Sequence, residues 1–249
     1  MIQPVSMPWS VPVFPAPPHS WRGVKTAVFP FDPDPVAVQA FLPPALKVEA
    51  GPGLIALLSY GWGENTRTHP FNEAVVLVPV SCDGHQGNYV PFIYVTTDES
   101  LIAGREAAGW PKKLADITWE RDGDHLRVAV TRWGETILTL EGDLNVDLPE
   151  GADLSALESA AGEAKPTFNY KLIPGPGEEI EIEEVTSTTL EILPTTIEIG
   201  MAKVIATSSK DDPIGAIVPS LEGPFVAIVS DNTIPRGTVL RQVEGRARR

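Results

Sequence analysis

Short apolar runs, each bounded by turn-forming residues, recur along most of the chain. Runs of about four to eight apolar or alternating residues between Gly, Pro, Asn and Asp are typical of β-strands. We predict strands at 23–30, 54–59, 74–80, 91–95, 112–119, 126–131, 136–140, 179–183, 188–193, 196–199 and 225–229. So many short strands predict a fold that is mainly β.

The predicted helices are few and short. Asp34 is a good N-cap and is followed by proline, which is favoured at the first helical position, so a helix is predicted to start there. Thr96 and Glu99 have the spacing of a capping box, which predicts a second helix that Gly109 ends. Shorter helices are expected at 153–160 and after 212.

Two dipeptide turn signals indicate antiparallel strand pairing. Asp122-Gly123 joins the predicted strands 112–119 and 126–131, and Trp133-Gly134 turns the chain into the next strand. Many short antiparallel strands with frequent turns favour a closed, largely antiparallel β-barrel with a few short helices, a mainly β (α+β) fold.

The chain is expected to hold one domain, over residues 19–243, without an internal repeat or a linker. Residues 1–18 carry five prolines and predict an extended arm, because proline cannot pair in a central strand. The apolar residues of this arm, such as Trp9 and Phe14, are expected to pack against another surface. Residues 244–249 form a basic tail that we expect to be frayed.

Charge and composition exclude several classes of protein. The net charge of −14 argues against binding to nucleic acid or to anionic lipid. No apolar run approaches the roughly 18 residues of a membrane span, and the N-terminal segment lacks the basic start of a signal peptide. A single cysteine, Cys82, excludes an internal disulfide and fits a reducing compartment, so a cytoplasmic location is expected.

Familiar site motifs are absent from the sequence. The four histidines are scattered without the spacing of a zinc site, so no metal site is predicted. The sequence has no P-loop, no Gly-rich dinucleotide fingerprint and no Gly-x-Ser-x-Gly elbow. Nucleotide-driven chemistry is therefore not expected.

The most informative feature is a pair of lysines, Lys112 and Lys113, where a predicted helix ends and a strand begins. Successive strand side chains face opposite ways, so one of the two lysines must point toward the core. An amine held in an apolar interior loses hydration, its pKa falls, and it becomes a nucleophile at neutral pH. The pair taken alone is equally compatible with an exposed strand start whose inward lysine extends back to solvent.

The run Gly-Arg-Glu-Ala-Ala-Gly-Trp-Pro-Lys-Lys over 104–113 resembles the signature of the acetoacetate decarboxylase superfamily. Further stretches resemble that family in the same order: Glu73 ahead of Pro79-Val80, the segment with Tyr89 before the helix, and Phe168–Pro174. The resemblance runs from about Trp21 to Pro174 and is faint beyond it. It implies a closed antiparallel barrel that holds the site inside, in a homo-oligomer.

The resemblance also implies roles for individual residues. Lys112 matches the Schiff-base lysine, Lys113 its neighbour and Glu73 an active-site glutamate, and these three are the candidate catalytic residues. Arg22 matches an arginine that engages the substrate carboxylate, and Tyr89 is a further candidate for substrate binding. A protonated lysine imine accepts the electrons that a departing CO2 leaves behind, so no cofactor is expected. Burial is expected to be the main cause of lysine activation, which leaves Lys113 for packing or a salt bridge, such as one with Glu106.

One departure from the family leaves the reaction open. Family members carry a second glutamate on the strand before the one with Glu73, whereas the matching stretch Ala56–Tyr60 has no acid, and Tyr60 is our candidate to fill its place. The favoured hypothesis is a cofactor-free lyase that decarboxylates a small β-keto acid. A pyruvate-type aldolase-dehydratase would use the same imine. A non-catalytic barrel that binds an apolar small molecule is the alternative of another class.

Overall fold

The computed structural model describes residues 5–152, 154–161, 164–177 and 179–243. The predicted basic tail at 244–249 lies outside the described residues, as does the part of the predicted helix at residue 153. The strands are β1 (His19–Phe31), β2 (Lys47–Val48), β3 (Gly53–Tyr60), β4 (Gly63–Glu64), β5 (Phe71–Cys82), β6 (His85–Val95), β7 (Lys112–Leu114), β8 (Asp116–Asp122), β9 (His125–Arg132), β10 (Glu135–Leu144), β11 (Thr167–Pro174), β12 (Ile180–Thr188), β13 (Glu191–Ala206), β14 (Leu221–Ile234) and β15 (Thr238–Gln242).

The helical elements are few and short, as predicted. They are α1 (Pro35–Phe41), α2 (Asp98–Ala103), a π-helical turn (Gly104–Ala108) that continues α2, α3 (Ser155–Ala161) and a 3₁₀ turn (Ile214–Ala216). The N-cap of α2 is Thr97 rather than the predicted Thr96, because the Thr97 hydroxyl accepts from the Ser100 backbone N–H. The Thr96 hydroxyl instead accepts from the backbone N–H of Asn72 on β5.

All strands belong to one large mixed sheet. Its order is β15-β12-β11-β6-β5-β3-β1-β14-β13-β10-β9-β8, with β2 beside β5, β4 beside β1 and β7 beside β6. The pairs β6–β7 and β6–β11 are parallel, and the other neighbouring strands run antiparallel. The expected closed barrel is not confirmed, because the strand path ends at β15 and β8 and no ladder joins those ends among the described residues.

The predicted hairpins form with one shift of register. Trp133 and Gly134 both have positive φ and connect β9 to β10 as expected. The β8–β9 turn lies one residue later than predicted, at Gly123-Asp124, because Asp122 still pairs with His125. We expected the apolar residues of the Pro-rich arm to pack against another surface. Phe14 is buried within the chain, whereas Trp9 is exposed.

The central strands separate two apolar clusters. On β5, Val76 and Val78 belong to the larger core, whereas Val75 belongs to a second cluster on the opposite face. The same alternation on β1 and β3 follows from the two-residue period of strand side chains. The first face is filled by side chains of β9, β10 and β13, and the second face is left to line a cavity.

A buried carboxylate fixes the short strand β7 to the rest of the sheet. The Asp212 side chain accepts hydrogen bonds from Lys113 Nζ (2.8 Å) and Arg132 Nε (2.7 Å), and Tyr94 Oη donates to it at 3.2 Å. Burial by itself would raise the pKa of Asp212, but the hydrogen bonds and charges of Lys113 and Arg132 lower it below its ordinary value. The ionised carboxylate therefore holds β7 in place.

We expect Asp212→Ala to lower the free energy of unfolding by about 3 kcal/mol at pH 7, because it leaves two cations near a buried site without their anion. The folded pKa of Asp212 is lowered. This stabilisation is therefore complete above the ordinary carboxyl pKa of about 4 and is lost as pH falls through the folded pKa. Urea unfolding at pH 7 and below pH 4 measures both effects.

The matched control is Asp231→Ala, which removes one of the two carboxylates that pair with the largely exposed Arg22. We expect this variant to lose less than about 1 kcal/mol, as exposed ion pairs do. Equal losses for the two variants would contradict the anchoring role of Asp212.

Candidate active site

A cavity of about 490 Å³ lies on the second face of the sheet. Its walls are side chains of β1, β3, β5, β6 and β14, and the π-helical turn and Trp110 cover part of it. Most of the lining is aliphatic or aromatic. The polar side chains that line it include Tyr60, Glu73, Ser100, Lys112, Ser230 and Asn232.

Lys112 is the cation at the centre of this cavity. It pairs with Ile93 across the parallel β6–β7 ladder, and only 5% of its side chain is exposed. Its Nζ lies 2.8 Å from Glu73 Oε2 and donates to Ser100 Oγ at 2.9 Å. The Trp110 ring centroid is 5.2 Å from the same nitrogen, so an aromatic face lies beside the charge.

The local backbone is built to admit this lysine. Gly104 lies so close that an added Cβ would be 2.6 Å from Lys112 Cδ. Gly109 ends the π-helical turn with φ of 77°, a left-handed conformation that favours glycine. The two glycines of the signature therefore have separate structural reasons, close approach at Gly104 and a backbone reversal at Gly109.

Glu73 reaches the lysine from β5, where it pairs with Leu58 on one side and Val95 on the other. Its side chain is 11% exposed, so carboxylate and ammonium are both removed from water. Such a pair is held by mutual attraction and by added hydrogen bonds, here the one to Ser100.

Lys113 faces away from the cavity, as strand alternation requires. Its side chain is 38% exposed and pairs with Asp212, not with Glu106 as suggested from the sequence. Lys112 and Lys113 therefore have different counter-ions on opposite faces of β7.

Tyr60 lies on β3, in the row next to that of Glu73 and on the same face of the sheet. Its ring stacks on Phe71 at 4.4 Å between centroids, and its hydroxyl hydrogen-bonds with the Asn232 side chain. Burial, followed by the charge of Glu73, raises the pKa of Tyr60 well above its ordinary value, against the lowering effect of Asn232. Ser230 Oγ donates to Asn232 Oδ1 at 2.7 Å, which directs the Asn232 amide N–H groups toward Tyr60. The phenol therefore stays protonated and keeps its own proton to donate.

Two candidates for substrate binding lie elsewhere. Arg22 has 69% of its side chain exposed, pairs with Glu64 and Asp231, and is not among the residues that line the cavity. Tyr89 packs against the larger core rather than the cavity, and burial raises its pKa to about 12.

The structure adds residues that sequence reasoning missed. Ser100 lies in the first turn of α2, and no motif marks it as a partner for a lysine that follows twelve residues later. Asn232 lies two residues beyond Ser230 on β14, so strand alternation could have placed both on one face. Arg236 enters the cavity lining from the β14–β15 connection.

Two kinds of feature are absent from the part of the chain that the structure describes. No helix there has both the length and the apolar character needed to cross a membrane. No group of three or more His, Cys, Asp or Glu side chains there is arranged to hold a metal ion.

Comparison of the sequence with known proteins finds several acetoacetate decarboxylases among its relatives. An acetoacetate decarboxylase of Mesorhizobium japonicum is 27% identical over 169 residues, which cover 68% of this chain and 62% of that protein. The match thus spans less than two thirds of that relative's length. An acetoacetate decarboxylase of Ralstonia nicotianae is 27% identical over 190 residues, covering 75% of this chain and 73% of that protein.

Solved structures share the fold. The acetoacetate decarboxylase of Legionella pneumophila superposes with a TM-score of 0.82 at 20% identity, covering 97% of this chain and 94% of the other. The enduracididine biosynthesis enzyme MppR, solved with the condensation product of pyruvate and imidazole 4-carboxaldehyde, has a TM-score of 0.79 at 15% identity, covering 97% of each chain. The family model of acetoacetate decarboxylase matches residues 3–243. The protein therefore belongs to the acetoacetate decarboxylase family.

Proposed function

We propose that this protein is a cofactor-free lyase that decarboxylates a β-keto acid through a Schiff base on Lys112. The observation that carries the proposal is the buried contact of Lys112 Nζ with Glu73 Oε2 at 2.8 Å inside an apolar cavity. Its relatives in Mesorhizobium and Ralstonia, which are named acetoacetate decarboxylases, support the same reaction class.

Imine formation needs a lysine lone pair and a route for protons. Glu73 accepts a proton from the Lys112 ammonium across the 2.8 Å contact, which frees the nitrogen to add to the ketone carbon. The resulting carbinolamine loses its hydroxyl as water, and this departure needs a proton donor. Tyr60, in the next row along β3, supplies a neutral phenol and is our candidate for the place of the family's second acid.

Decarboxylation then proceeds without an external electron acceptor. The bond between the carboxylate and the adjacent carbon breaks, CO2 leaves, and the electron pair moves into the protonated imine to give an enamine. Protonation of the enamine carbon and hydrolysis by water release the ketone and restore Lys112. The net reaction consumes one proton and forms one ketone and one CO2.

A cation for the substrate carboxylate is available at the cavity wall. Among the lining lysines and arginines, Lys112 pairs with Glu73 and Lys171 pairs with Glu184 at 3.7 Å. Arg236 forms no ion pair within the described part of the chain. We therefore propose that Arg236, rather than Arg22, binds the substrate carboxylate.

The aldolase-dehydratase alternative keeps the same first step. MppR, named with a pyruvate condensation product, shares the fold, which supports this second candidate at the level of architecture alone. The two reactions separate after the imine, according to whether CO2 departs or an enamine adds to an aldehyde.

Borohydride trapping tests the nucleophile. We expect acetoacetate followed by borohydride to add the mass of one reduced adduct to the wild type and none to Lys112→Met, because the imine nitrogen is gone. Lys113→Met should keep the adduct, since Lys113 faces away from the cavity. Intact-protein mass spectrometry gives both results. An adduct on Lys112→Met would overturn the assignment.

Tyr60→Phe tests the proton donor. We expect kcat to fall by about 100-fold, the usual effect of removing one donor from a reacting oxygen, with the fold intact because the ring and its stacking remain. Tyr89→Phe is the matched control and should leave kcat unchanged, because Tyr89 lies outside the cavity. Similar rates for Tyr60→Phe and the wild type would remove Tyr60 from the mechanism.

A further inference from the structure

We infer that the substrate is a β-keto acid with an unbranched apolar tail several carbons longer than the methyl group of acetoacetate. The inference rests on the proposed function and deepens it. It is carried by the way that strand register places an apolar strip on one side of Glu73 and polar groups on the other.

The register of the central strands defines a row of side chains through the reactive carboxylate. Glu73 pairs with Leu58, Leu58 with Thr26, and Thr26 with Ile228, and all four line the cavity. Each further row along the strands lies two residues away, about 7 Å in an antiparallel sheet.

The rows in one direction are wholly apolar. The next row joins Val75, Ala56 and Val28, and the row after it joins Leu77 to Leu54. All five side chains line the cavity, so the strip extends about 14 Å from the Glu73 row. None of these five side chains can hydrogen-bond to a ligand, so they favour an apolar group against them.

The rows in the opposite direction are polar or aromatic. Tyr60 and Phe71 form the first of them, with Ser230 beside them on β14. Continuing along β14, Asn232 comes next, and Arg236 follows after the strand ends. Arg236, the cation that we assign to the substrate carboxylate, and the apolar strip therefore lie on opposite sides of Lys112 and Glu73.

A β-keto acid has this same polarity. Its carboxylate and its alkyl tail leave the ketone carbon in opposite directions, so imine formation at Lys112 with the carboxylate toward Arg236 points the tail along the strip. The volume of about 490 Å³ is that of a site for a larger ligand than acetoacetate, whose tail is a single methyl group. Leu58, which pairs with Glu73, continues the apolar surface up to the reacting centre.

The test is a series of acetoacetate, β-ketohexanoate and β-ketooctanoate with the wild type, followed by CO2 release. We expect kcat/KM to rise roughly fourfold per added methylene, because a factor of about four corresponds to the free energy of burying one such group. The increase in kcat/KM should come mainly from a lower KM, because the tail contacts are the same in the ground state and the transition state. Methyl pentyl ketone should correspondingly inhibit more strongly than acetone.

A cavity variant locates the tail. Ala56→Leu adds bulk to the middle of the strip, one row from Glu73. We expect it to lower kcat/KM for β-ketooctanoate by about tenfold while acetoacetate changes by less than about threefold. Acetoacetate thus serves as the internal control for folding, and the ketone inhibition of the wild type does not depend on the variant.

The outcomes separate the two proposals. If kcat/KM is flat or falls with tail length while acetoacetate still gives a borohydride adduct on Lys112, the tail inference is overturned and the proposed function stands. If none of the three acids gives an adduct or CO2, the proposed function itself fails.

Discussion

The constraint on which the site depends is the cost of holding an ammonium group in an apolar cavity. Lys112 is almost fully buried, and Glu73 and Ser100 supply its nearest polar partners. Removing a charge from water without such partners costs several kcal/mol, so the pair must be positioned closely. Gly104 leaves room for the side chain, and the Asp212 cluster holds the strand that carries it.

The sheet gives the Lys112–Glu73 pair different surroundings on its two sides. Because side chains alternate, β7 turns Lys112 into the cavity and Lys113 toward Asp212, so neighbouring lysines have separate tasks. Because the strands keep register, the carboxylate of Glu73 lies between an apolar strip and a polar, aromatic end. The proposed nucleophile, proton donor and tail-binding strip therefore all lie on one face of a few central strands.

Local signals in the sequence predicted most of the strands, but the predicted strand 112–119 divides into β7 and β8, and the predicted strand 188–193 crosses the turn between β12 and β13. The two-residue turn at Trp133-Gly134 is fixed by neighbouring residues alone, and it forms as expected. The hairpin after β8 shifts by one residue because pairing of Asp122 with His125 extends the ladder. Local signals could not predict whether the sheet closes into a barrel, because closure depends on whether the two ends of the whole sheet pair with each other.

The run 104–113 identified the family and Lys112, because it is specific, whereas Glu73 came from a separate, supporting stretch. Two residues chosen by weaker signals lie outside the cavity: Arg22 turns outward within the irregularity of β1, and Tyr89 lies on the other face of β6. Asn232 and Arg236 come from the far end of the chain, where the resemblance is faint. Only the three-dimensional pairing of β14 with β1 brings them to the cavity.

The central claim is that a lysine imine lies on the reaction path. It is tested most directly by decarboxylating a β-keto acid in heavy-oxygen water and analysing the ketone at the earliest times by mass spectrometry. The imine route requires that the product oxygen come from water, so we predict one heavy oxygen in essentially every ketone molecule. A ketone that keeps its original oxygen would contradict the mechanism.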